Sequence, residues 1–124
     1  MIIDTPDTET VVRHHLTAFL EQRGIDAIVA DYREDAVFFS EDETFCGQEE
    51  IGKFFADFID TLPKGSFDRF VLRTLRVREN YAYITWSVGK ELPLGTDTFV
   101  VTNGKITFQT YASHSSARRL DDHP

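Results

Sequence analysis

The chain has 124 residues, 41% hydrophobic, 13% aromatic and 27% charged, with 21 acidic against 13 basic side chains. Those proportions suit one compact domain and exclude wholesale disorder, and a net charge of -8 argues against binding nucleic acid or an anionic membrane, whose phosphates it would repel. No apolar run approaches the roughly 20 residues of a membrane helix, and the acidic start MIIDTPDTET lacks the basic-then-apolar order of a signal peptide, so a cytoplasmic location is expected.

Helical periodicity fills the first half of the chain. Thr5-Pro6 opens the first predicted helix, with Thr5 as cap and Pro6 at the first helical position, while Asp7 and Glu9 suit the positive helix start. Val12, Leu16, Phe19 and Leu20 share one face at helical spacing, and Gly24 ends the element. A short second helix follows, with Ile25, Ile28, Val29 and Tyr32 on its apolar side. Ala36–Ser40, short and rich in Val and Phe, reads as a strand.

The third helix, about Gln48–Leu62, carries the plainest signal. Ile51, Phe54, Phe55, Phe58, Ile59 and Leu62 recur at steps of three and four, and Pro63-Lys64-Gly65-Ser66 stops it. Beyond it the pattern changes to strands: Phe67–Arg78, Tyr81–Gly89, Thr96–Thr102 and Lys105–His114 are rich in Val, Ile, Thr, Phe and Tyr. Asn103-Gly104 between the last two is a hairpin turn, since both central positions of such a turn need positive φ. Glu79-Asn80 is a weaker turn. Residues 1–115 therefore form one domain, with 116–124 as a flexible tail. Helices first and a meandering antiparallel sheet afterwards make an α+β architecture.

Charge divides with the elements. Residues 1–62 carry 15 acidic and 4 basic side chains, residues 63–124 carry 6 and 9, which fits acidic solvent-facing helices followed by a more basic sheet. The single cysteine, Cys46, excludes an internal disulfide and a Cys-based metal cluster, and reads as a buried, inert thiol. Arg69, Arg73, Arg76 and Arg78 form an exposed basic face that balances the helices. No Gly-rich phosphate loop, G-x-S-x-G elbow or zinc-ligand spacing occurs, so no cofactor or metal is expected.

Element order and length resemble the nuclear transport factor 2-like superfamily, in its SnoaL-like and ketosteroid isomerase-like branch. The residues that carry the likeness are Ile25-Asp26-Ala27-Ile28-Val29, Tyr32, Asp35-Ala36, Gly47-Gln48-Glu49-Glu50-Ile51, and Asp97-x-Phe99 leading to Gly104-Lys105-Ile106, over roughly residues 8–114. The resemblance implies a cone-like (cystatin-like) curved antiparallel sheet wrapped round the N-terminal helices, with an apolar pocket inside and a homodimer formed through the outer face of the sheet.

Family chemistry transfers only where positions match. The isomerases' tyrosine on the first helix corresponds to Leu16, and their catalytic base on the strand after Asp35-Ala36 corresponds to Ser40. Leucine cannot donate a hydrogen bond, and an unactivated serine is no base near neutral pH, so steroid isomerisation by that route is not implied. Asp97 does match, at the pocket carboxyl that those enzymes hold protonated so that it donates to a developing oxyanion. Desolvation within its apolar strand raises its pKa. The other reading of Asp97 is a carboxylate that merely bonds neighbouring strands or sits exposed at the sheet edge.

Alternation on the last strand turns Gln109, Tyr111 and Ser113 toward the pocket, and Phe108, Thr110 and Ala112 away. The Tyr111 phenol offers a donor where the first helix lacks one, although the same stripe also reads as a polar sheet face meeting solvent. His15 flanks the apolar face of the first helix and reaches the pocket rim as a weaker acid–base candidate. His14 points to solvent, and Trp86 reads as core or dimer surface. With Asp97, Tyr111 and His15 as candidate catalytic groups, the lining expected from the resemblance is Leu16, Phe38, Ser40, Phe54, Phe58, Phe99, Gln109 and Ser113.

Two functions follow as expectations. One is a SnoaL-like pocket protein for a small apolar molecule bearing a carbonyl or hydroxyl, acting, if an enzyme, as a cofactor-free isomerase, dehydratase or cyclase. The other is a non-catalytic dimeric binding or scaffold module of the same fold. A cavity of roughly 300 Å³ beside Asp97 favours the first, and a space filled by Leu16, Phe54, Phe58 and Phe99 favours the second.

Overall fold

The computed structural model describes residues 5–115. Helix α1 spans Thr8–Leu20 and begins two residues later than expected, because Asp7 rather than Thr5 is the cap: its carboxylate accepts the Thr10 N–H at 2.8 Å. Its buried face is Val11, Val12, His15, Ala18 and Phe19. Gly24, at φ 104°, turns the chain into α2 (Ile25–Val29). Tyr32 is not part of that helix; it opens β1 (Tyr32–Phe39).

A hairpin leads to the short strand β2 (Thr44–Cys46), where the Glu43 N–H donates to Ser40 Oγ at 3.1 Å. Helix α3 (Gly47–Thr61) then starts where the Glu50 carboxylate reaches back to accept the Cys46 N–H at 2.8 Å. Cys46 itself is exposed, not the buried thiol that its setting suggested. Gly65, at φ 81°, opens a one-turn helix α4 (Ser66–Arg69), so β3 starts at Phe70 and runs to Arg78. The remaining strands are β4 (Tyr81–Val88), β5 (Leu92–Thr102) and β6 (Lys105–His114). Between β5 and β6, Asn103 and Gly104 take φ values of 51° and 81°, the pair of positive angles that their turn requires.

The six strands form one curved, unclosed sheet in the order β2-β1-β6-β5-β4-β3. It is mixed rather than wholly antiparallel. β1 runs parallel to β6, pairing Val37 with Phe108 and Phe38 with Gln109, whereas every other neighbour is antiparallel. Breaks in register at Tyr32/Val37, Leu72/Thr74, Trp86/Val88 and Val100/Val101 supply the bends of such a sheet. Inside, α1 lies against β4 and β5, and α3 against β1 and β2. The core between them includes Val12, Ile28, Phe38, Ile51, Ile84, Phe99 and Ile106, each at most 1% exposed.

On the outer face, alternation exposes Phe39, Tyr81, Tyr83 and Leu94 while their neighbours turn inward. Arg73 also lies on the sheet, donating to Ser87 Oγ at 2.9 Å, and Arg69 on α4 pairs with Glu91 at 2.7 Å. His14 is solvent-exposed and meets the Asp31 carboxylate at 2.9 Å. No helix among the described residues is long and apolar enough to cross a membrane. The tail assigned to residues 116–124 lies outside the described residues.

Candidate functional site

The inward set of β5 is Gly95, Asp97, Phe99 and Val101, so alternation places a carboxylate in the apolar interior. Asp97 is 8% exposed. Two donors hold it: Trp86 Nε1–H reaches Oδ1 at 2.7 Å, and Gln109 Nε2–H reaches Oδ2 at 2.8 Å. The other end of the Gln109 amide accepts the buried Tyr32 O–H. A chain of hydrogen bonds therefore runs from β1 through β6 to β5 and on to β4.

Trp86 can lie this way because its partner across the β4–β5 ladder is Gly95. A Cβ there would stand 2.2 Å from the indole ring, so the missing side chain is what lets the ring cross the strand to the residue two positions on. The sequence placed Trp86 in the core or on a dimer surface, without this role. The available signal was a glycine two places before an interior aspartate, and it becomes legible only with the strand register.

Burial pushes the Asp97 pKa up to about 6, against the opposing pull of the Trp86 and Gln109 hydrogen bonds. His15, from α1, is 4% exposed and lies edge-on to Tyr32, Phe55 and Phe99 at 5.5–5.6 Å between ring centroids. Burial, with a smaller effect of His14, lowers its pKa to about 4, so it is a neutral imidazole at pH 7. Its Nδ1 is buried without a hydrogen-bond partner. Tyr111 bonds to Ser113 Oγ at 2.6 Å, and burial raises its phenol to about 12.

These groups line a cavity of about 40 Å³. Its walls hold eight of the expected residues: His15, Leu16, Phe54, Phe58, Asp97, Phe99, Gln109 and Tyr111. Phe19, Phe55, Ile84 and Trp86 complete them, unanticipated because each reads as ordinary core. Phe38 and Ser40 are not brought to it. Phe38 is fully buried outside the cavity lining, its ring tilted against that of Phe54 at 4.5 Å between centroids, and Ser40 serves the β1–β2 turn. Ser113 lies outside the chamber, in an open vestibule of about 390 Å³ with Glu41, Thr61, Leu62, Pro63, Glu91, Leu92 and Ser115. Phe58 and Tyr111 line both spaces, 5.4 Å apart, and form the partition between them.

The chamber is far smaller than the roughly 300 Å³ that encloses a drug-sized ligand. It has room for about three water-sized groups. Among the described residues no lysine or arginine lines it. What it can do chemically is present one carboxyl, titrating close to neutrality, and one neutral imidazole to a small group held among aromatic rings.

No protein-family model matches the sequence, nor does any curated protein. Solved structures do match. A de novo designed protein with a curved β-sheet is similar at a TM-score of 0.73 and 21% identity, covering 92% of this chain and 89% of its own. An NTF2-like protein of unknown function from Burkholderia xenovorans gives 0.69 and 16%, covering 94% of both chains. A protein from Agrobacterium tumefaciens, provisionally assigned as an isomerase of the SnoaL-like family, gives 0.66 and 16%, covering 87% of this chain and 97% of its own. At such identities the likeness concerns architecture, and the designed protein shares it too. The chain has the nuclear transport factor 2-like fold found in SnoaL-like and ketosteroid isomerase-like proteins.

Proposed function

We propose that the protein binds a mostly apolar small molecule whose polar head enters the chamber beside Asp97. As an enzyme it would carry out cofactor-free proton transfer of the isomerase, dehydratase or cyclase kind. Asp97 gives a proton to a carbonyl or hydroxyl oxygen when protonated and takes one when ionised, with Tyr111 and His15 as polar neighbours. The observation that carries this reading is the buried carboxyl with a pKa of about 6, next to free space rather than packed against a cation. A group titrating there is in the range where general acid–base catalysis near neutral pH is effective. Leu16 and Ser40 at the positions of the isomerases' tyrosine and base keep steroid isomerisation out of the proposal.

The second reading, a binding or scaffold module without catalysis, is favoured by the small chamber that Phe54, Phe58 and Phe99 leave. Both readings include a homodimer through the outer sheet face. Trp86 is the only tryptophan and lines the chamber, so its fluorescence reports binding directly. A panel of apolar carbonyl and hydroxyl compounds is expected to perturb that emission, and Asp97→Asn to weaken binding about tenfold or more, the loss of a hydrogen bond to a charged or proton-donating group. Equal binding by the variant and the wild type removes Asp97 from the site. Binding without turnover of any bound compound selects the second reading.

A further inference from the structure

The hydrogen-bonding capacity left over in the chamber, and its charge, say more about the head group. The Trp86 indole N–H and an N–H of the Gln109 amide are committed to Asp97, and the Tyr32 O–H is committed to Gln109. Each Asp97 oxygen accepts one of these bonds and keeps further lone-pair capacity, and His15, whose buried Nδ1 has no hydrogen-bond partner among the described residues, has a lone pair on one ring nitrogen as a neutral imidazole. The remaining lining is aromatic or aliphatic, with Phe58 and Tyr111 each in ring contact with Phe54, with Trp86 and with one another at 5.4–6.4 Å. Above pH 6 the site therefore holds a buried negative charge, acceptors and electron-rich ring faces, with no cationic side chain among the described residues. A buried charge left without a counter-charge is costly, and aromatic faces attract cations. A carbonyl oxygen in the same space would face the carboxylate's own negative oxygens.

We infer that the chamber, with Asp97 and His15, is a site for a small protonated amine whose apolar body extends into the vestibule past Phe58 and Tyr111, whose touching rings part to admit it. The ammonium N–H groups donate to Asp97 and to the free nitrogen of His15. An alkyl chain lies along Leu62, Pro63 and Leu92, and Glu41 and Glu91 make the approach acidic. The inference rests on the reading that the chamber admits a ligand, and replaces that ligand's carbonyl or hydroxyl head with an ammonium.

The test compares three probes of one chain length, n-hexylammonium, 1-hexanol and hexanoate, by Trp86 fluorescence at pH 7.5. The amine is expected to bind about tenfold or more tighter than the alcohol, with hexanoate weakest. In Asp97→Asn the amine loses more affinity than the alcohol, so that the preference for the amine disappears. A second measurement needs no variant: the wild-type preference falls as pH drops through about 6. Among the described residues the other titratable groups facing Asp97 are His15 from α1, Tyr32 from β1 and Tyr111 from β6; α3 and β4 contribute none to the lining. His15, Tyr32 and Tyr111 do not change charge between pH 6 and 7.5. Equal affinity for alcohol and amine overturns the inference and leaves the pocket reading standing. Preference that persists in Asp97→Asn, or at pH 5, marks attraction to the acidic surface and overturns it as well. Failure of all three probes to bind overturns both.

Discussion

Asp97 and His15 share one small cavity, and burial acts on them in opposite senses because it disfavours the charged form of each. For Asp97 the folded pKa is raised from 3.8 to about 6, so its contribution to stability is full below about pH 4 and is lost as pH rises through 6. For His15 the folded pKa is lowered from 6.5 to about 4, so its contribution is full above 6.5 and is lost as pH falls through 4. Each amounts to about 3 kcal/mol over nearly the same interval, and the two slopes cancel in the wild type. Asp97→Asn is expected to leave a stability that climbs with pH relative to wild type between 4.5 and 6.5, and His15→Phe one that declines. Urea unfolding at those two pH values checks it, and variants that both track the wild type would refute the opposed titration.

At the scale of elements, the site depends on one absent side chain. Trp86 on β4 reaches Asp97 on β5 only because Gly95 leaves its ring a place to lie. Gly95→Ala forces the indole aside, costing about 1–3 kcal/mol by overpacking, shifting the tryptophan emission and releasing Asp97 from one of its donors. Denaturation and fluorescence of that single variant check all three, and an unchanged spectrum would show that the ring's position does not rest on the glycine. This dependence marks what the sequence could disclose. The apolar rhythm of α3 and the Asn103-Gly104 turn are local, so they are legible from spacing and φ preference alone. The parallel pairing of β1 with β6 joins segments about 70 residues apart and leaves no local trace. β2 and α4 are three and four residues long, too short for a period to declare itself. The first four residues of β5, 92–95, were missed as strand because Pro93 and Gly95 are both poor strand formers. The resemblance put Asp97 in the interior and alternation turned Gln109 and Tyr111 the same way, with Ser113 falling in the vestibule instead, but which donors held the carboxylate depended on register.

Across the whole molecule, the sheet has one committed face and one free face. Its concave side is filled by α1 and α3, and its outer side exposes Phe39 at 44%, Tyr81 at 54% and Leu94 at 47%. Apolar side chains spread over several strands are what a second copy would cover, and about 800 Å² per partner makes a stable interface. Light scattering is expected to give twice the mass of one chain for the wild type and the mass of one chain for Tyr83→Glu, with the fold retained because Tyr83 points outward. A monomeric wild type at high concentration would rule out the dimer. A dimer through this face leaves the chamber on the other side of the sheet unobstructed, so ligand entry by the vestibule and self-association are separate properties.

The account depends on the state of one carboxyl group, and carbon NMR titration of the Asp97 side chain reads it directly. A midpoint near pH 6 is the predicted result. A midpoint near the ordinary 3.8 would mean that water reaches Asp97 freely, contradicting both the buried acid and the binding chemistry built on it.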